Sequence, residues 1–82
     1  MLQDLQLARI TQVKREKNSY WGNPRYRVSY VCNGLAGNAL TLCDAAWVYG
    51  PINWDTLTGK YVDIRVSGRR RRTLREIKKV YN

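Results

Sequence analysis

Four consecutive arginines, Arg69, Arg70, Arg71 and Arg72, and an alternating pair, Arg25 and Arg27, are the residues best suited to chemistry in this chain. Lys17 and the adjacent aromatics Tyr20 and Trp21 precede that pair by a few positions. Cations of this kind neutralise phosphates and release condensed counterions, an attraction that is blind to sequence and weakened by salt. Flat rings receive unstacked bases, and each stacked base contributes about 1–3 kcal/mol whatever its identity. Arginine serves both purposes, because its fork grips phosphate and its plane stacks. Ten of the fifteen basic residues are arginine, which favours a binding surface over plain solubilisation. The set points to nucleic acid, single strands ahead of duplex, read with little sequence preference.

Catalysis finds no comparable constellation. Histidine is absent, which removes the usual general base and the usual metal ligand. The three serines, Ser19, Ser29 and Ser67, therefore have no imidazole to activate them. Cys32 and Cys43 would need two further ligands to hold zinc and an adjacent base to act as nucleophiles. Six carboxylates are too scattered to propose a two-metal site, and no glycine-rich phosphate loop has Walker or Rossmann spacing. The expectation is a binding protein, not an enzyme, with no metal and no cofactor.

The elements that must position the basic and aromatic groups read as strands. Residues 5–15 put Leu5, Leu7, Thr11 and Val13 on one parity and Ala8 and Ile10 on the other, the slip of a long, bent strand with a bulge. Residues 16–24 are a loop with Gly-Asn-Pro turn chemistry. Residues 25–32 alternate cleanly, with Tyr26, Val28, Tyr30 and Cys32 facing one way and Arg25, Arg27 and Ser29 the other. A turn at Gly37-Asn38 would place Cys32 opposite Cys43, although Asn33-Gly34 is an equally good turn dipeptide. Asp44 can cap a short helix over 45–49 that Gly50-Pro51 ends. Residues 60–66 form another clear strand, and 67–72 a loop. Residues 73–81 suit either a helix carrying Leu74, Ile77 and Tyr81 or a final strand with a phase slip.

Five strands with a short helix between the third and fourth make an all-β chain. The expected architecture is a small five-stranded OB-like barrel occupying residues 1–82 as one domain, with an SH3-like barrel as the alternative. In an OB-like barrel a ligand lies across strands 2 and 3, between the loop joining strands 1 and 2 and the loop joining strands 4 and 5. Lys17, Tyr20 and Trp21 fall in the first loop, Arg69–Arg72 in the second, and Arg25 and Arg27 between them. Tyr20 and Trp21 have a second reading, as a lid on the barrel end. Tyr26, Tyr30 and Trp47 read as core, Trp54 stays open, and Gly34 and Gly37 read as turn residues.

The chain carries a formal charge of +9 over 82 residues, distributed as +4 over 1–30, −2 over 31–59 and +7 over 60–82. Charge gathered at both ends repels itself if the ends meet, and an anionic partner relieves that repulsion. No apolar run approaches the roughly 20 residues of a membrane-spanning helix, and no export signal is legible, so a cytoplasmic setting with reduced thiols is expected. Gly22-Asn23-Pro24-Arg25-Tyr26-Arg27-Val28, Asp44-Ala45-Ala46 and the string Gly-Lys-Tyr-Val-Asp-Ile-Arg-Val at 59–66 together resemble small uncharacterised bacteriophage-type proteins. That resemblance covers about half the chain and implies a phage or mobile-element origin without an established activity. A second function class is compatible with the same residues: a protein-interaction module docking on an acidic host-protein surface, its arginines steering and its aromatics anchoring.

Overall fold

Alternation of apolar and polar side chains over most of the chain gives strands one face to bury, and five of them form. The computed structural model describes residues 5–18, 20–41, 49–68 and 72–81. Its strands are β1 (Gln6–Glu16), β2 (Arg25–Cys32), β3 (Leu35–Thr41), β4 (Tyr61–Ser67) and β5 (Thr73–Tyr81). They close into a barrel in the order β1-β2-β3-β5-β4. Every neighbouring pair is antiparallel except β3 with β5, which is parallel. A two-residue turn joins β2 to β3, residues 17–24 join β1 to β2, and residues 68–72 join β4 to β5. The chain between 42 and 60 carries β3 over to β4 beside β1, and β5 then returns to close against β3. This Greek-key path is the OB-like barrel expected from the element order.

Inward-facing residues of all five strands meet in one core. Ala8, Ile10, Val28, Tyr30, Ala39, Val62, Ile64 and Leu74 are buried there together with Leu57 from the long connection. β1 reaches around the barrel by the expected bulge. Ala8 and Ile10 point inward, the register slips between Ile10 and Gln12, and Val13 then takes the inward place opposite Val28. One extra residue sharpens the twist, as closure of so small a barrel requires.

The ambiguous segment 73–81 is a strand. Its register with β4 slips twice, which leaves Arg75 and Lys78 as extra residues. Leu74, Ile77 and Val80 consequently face the core at intervals of three, a spacing that imitates a helix. The helix expected over 45–49 lies outside the described residues except for Tyr49. Trp54–Thr56 form a single 3-10 turn in the long connection.

Two readings of the β2–β3 hairpin are corrected. The turn is Asn33-Gly34, with φ of 53° and 78°, the left-handed pair that a two-residue hairpin demands. Gly37-Asn38 lies inside β3 instead, Gly37 opposite Tyr30 and Asn38 opposite Ser29. Gly37 sits at a close approach: a Cβ there would stand 3.0 Å from the Arg72 guanidinium and 3.0 Å from the Tyr30 ring, so those side-chain ends would have to give by a few tenths of an ångström. With this register Cys32 faces Leu35 rather than Cys43, and it forms no disulfide.

Among the described residues no helix is long and apolar enough to cross a membrane. No group of three or more potential metal ligands occurs among them either.

Candidate nucleic-acid interface

β2 sets the geometry of the site because its alternation is unbroken. Val28, Tyr30 and Cys32 are buried, so Arg25, Arg27, Ser29 and Val31 must face out. The neighbours in register extend this outer face across three strands. Arg27 stands between Lys14 of β1 and Leu40 of β3, Ser29 between Gln12 and Asn38, and Val31 between Arg9 and Ala36. Glu16 faces Arg25 at the end of the β1–β2 pair. The face thus presents four cations, Arg9, Lys14, Arg25 and Arg27, against one carboxylate.

Arg27 is held in place on this face. Its Nε donates to Glu16 Oε1 at 2.9 Å and its Nη1 to Asn38 Oδ1 at 2.9 Å. The Arg27 side chain keeps 43% of its exposure, so a further partner can still reach it. An ion pair this open contributes about 0–1 kcal/mol to stability, and its main effect here is to fix where the guanidinium sits.

The loop between β1 and β2 carries Lys17, Tyr20 and Trp21, all exposed. Tyr20 is 92% and Trp21 78% accessible, and the two rings meet edge to face with centroids 5.0 Å apart. The lid reading is therefore wrong for them. Other rings fill the space near the barrel wall: Tyr26 stacks on Trp54 at 4.9 Å, and Tyr49 meets Trp54 edge-on at 5.6 Å. The Tyr49 hydroxyl donates to the Leu74 carbonyl. Trp54, left open by the sequence, is half-buried in this stack.

Arg15 was not among the expected site residues, yet it braces the root of the aromatic loop. Its guanidinium donates to the carbonyls of Glu16 and Arg25 at 3.1 and 3.2 Å, pairs with the Asn18 amide, and lies 5.5 Å from the centre of the Tyr26 ring. Arg9 and Lys14 were missed as well. The signal for them was the β1 bulge itself, since once the slip is placed at Thr11 both fall on the outward parity.

The end of the loop between β4 and β5, at Arg72, flanks the face from the other side. Leu40 is the register partner of Arg27 on one flank and of Thr73 on the other. The end of that loop is thus two strand spacings, about 10 Å, from Arg27. The Arg72 backbone carbonyl accepts from Leu40 N at 3.0 Å. The Arg72 side chain does not join Arg25 and Arg27, however; it turns toward the barrel opening and donates to the Tyr30 hydroxyl at 3.1 Å. Arg69, Arg70 and Arg71 lie outside the described residues.

On the opposite wall, β4 with β5, several charged side chains have partners. Arg65 pairs with Glu76 at 3.3 Å, and Arg75 Nε donates to the Ser67 hydroxyl at 2.6 Å. Tyr81 donates to Asp63 Oδ2 at 2.6 Å, and this bond to a carboxylate holds the phenol above its usual value of 10.0. The Lys79 ammonium sits 4.8 Å over the Tyr81 ring. No family model matches this chain, and no curated protein or solved structure does.

Proposed function

We propose that this chain is a non-catalytic nucleic-acid-binding protein that holds single strands across the outer face of β1, β2 and β3. The observation that carries the reading is the union, in one hairpin, of a cationic face (Arg9, Lys14, Arg25, Arg27) with two solvent-exposed rings. Lys14, Lys17, Arg25 and Arg27 neutralise phosphates; Tyr20 and Trp21 stack on bases. Such rings can only engage bases freed from a duplex, which is why single strands rank first. Sequence preference is weak because cations directed at phosphates position a ligand without reading its base edges. The Arg69–Arg72 run, which ends where β5 begins, adds cationic charge for an anionic strand. The bacteriophage-type resemblance and a cytoplasmic setting fit such a protein, with single-stranded DNA and RNA both as ligand classes.

The test is binding of a fluorescently labelled oligonucleotide measured across a range of salt. Log affinity should fall linearly with log salt, by about 0.7 for each single-strand phosphate neutralised. Replacing Arg69, Arg70, Arg71 and Arg72 together by alanine flattens that slope by about 0.7 for each phosphate no longer neutralised. An unchanged slope removes this loop from the interface.

The second reading, docking on an acidic protein surface, draws on the same exposed rings and on Leu7 and Tyr61, which are 52% and 50% accessible on the β1–β4 side. Indifference to every oligonucleotide at physiological salt, with stoichiometric binding of an acidic protein, would favour it.

A further inference from the structure

We propose that the opening of the barrel between β3 and β4 is a seat for one nucleotide, base and phosphate together. The preference for a nucleotide among anionic ring compounds rests on the function proposed above. A cavity of about 360 Å³ lies there, lined by residues that include Gln6, Tyr30, Asn33, Leu35, Val66 and Arg72. It exists because β3 pairs with β5 only at Leu40 and Thr41, so the first half of β3 has no register partner on that side. The missing side chain of Gly37 gives the Arg72 guanidinium its place beside the Tyr30 hydroxyl.

The lining chemistry selects the ligand class. Among the described residues no carboxylate lines the cavity, and Arg72 supplies a positive charge, so an anionic group is favoured. Gln6 and Asn33 each offer a carboxamide with donors and an acceptor, the mixture that the edge of a base presents in return. Gln6 is oriented by the Cys32 thiol, which donates to its Oε1 at 3.5 Å. Leu35 and Val66 supply apolar wall for the flat face of a ring. The volume is at the small end of the roughly 300–1,000 Å³ of small-molecule sites, enough for one nucleotide and not for a run of them. The seat also lies beside the Arg27–Leu40–Thr73 row, so a strand crossing the outer face can deliver a residue into it.

The experiment titrates isotope-labelled protein with adenosine 5′-monophosphate, and separately with inorganic phosphate and with adenosine. The monophosphate should shift the amides of Leu35, Ala36, Gly37 and Gly68 with at least about 10-fold higher affinity than either fragment, since base and phosphate are held together. Leu35→Trp fills the cavity from a position already 74% exposed, so the fold tolerates it. That variant should lose about 10-fold or more in monophosphate affinity, within the range of one stacked base. Arg72→Gln, which removes the charge and keeps a donor for Tyr30, should lose the phosphate advantage with the barrel intact by circular dichroism. Absence of shifts at these amides, or monophosphate binding indifferent to both variants, overturns the seat. If oligonucleotides still bind in that case, the outer face stands without it. If the monophosphate seats and oligonucleotides do not bind, the seat stands and the strand-binding role of the outer face fails.

Discussion

Replacing Leu74 by alanine is expected to lower the unfolding free energy by about 2–5 kcal/mol, the range for truncating a fully buried leucine. Leu74 is 0% exposed and sits where the barrel closes. It stands opposite Thr41 in the two-pair junction with β3 and opposite Val66 in β4. Its carbonyl also accepts the Tyr49 hydroxyl, which ties the long connection to the same point. A cavity opened there weakens the register that joins β5 to β3. A domain of 82 residues has a total stability of about 4–12 kcal/mol, so the loss is a large share of it. Urea unfolding should show a lower midpoint with an unchanged slope. A loss below about 1 kcal/mol would mean that Leu74 does not hold the closure.

Trp21→Ala has the largest expected effect on binding. Loss of one stacked base costs about 1–3 kcal/mol, or roughly 5- to 150-fold in affinity for an oligonucleotide. The salt slope should stay the same, because no cation is removed from a phosphate. Stability should change by no more than about 0.5 kcal/mol, since the ring is 78% exposed and touches only Tyr20 among the described rings. Full affinity in this variant would take Trp21 out of the interface, and the exposed aromatics would then favour a protein partner.

How much of this was legible depends on where the alternation runs undisturbed. β2 has no bulge and no competing period, so its faces follow from parity alone, and Arg25 and Arg27 were placed outward on that basis. β5 was ambiguous for a physical reason: two register slips convert a period of two into intervals of three. The hairpin after Cys32 offered two turn dipeptides of equal local quality. The turn formed at Asn33-Gly34, and Gly37 instead lies where Arg72 and Tyr30, 42 positions apart in the chain, crowd β3, a neighbourhood no local pattern announces. The inward turn of Arg72 was hidden for the same reason. A run of arginines reads as one patch, and nothing local announces that its last member, Arg72, bonds the Tyr30 hydroxyl. Arg15 was passed over because its value is structural: it secures the root of the aromatic loop through backbone carbonyls, which no composition signal announces.

Whether a strand lies where the basic sheet and its ring-bearing loop put it can be read in one amide map. Isotope-labelled protein titrated with an oligothymidylate should show shifts at Lys14, Arg27, Ser29 and Asn38 and at the Trp21 indole. Lys79 and Tyr81, which pack on each other on the β4–β5 wall, should stay still. Shifts confined to that wall, or none at physiological salt, would contradict the account.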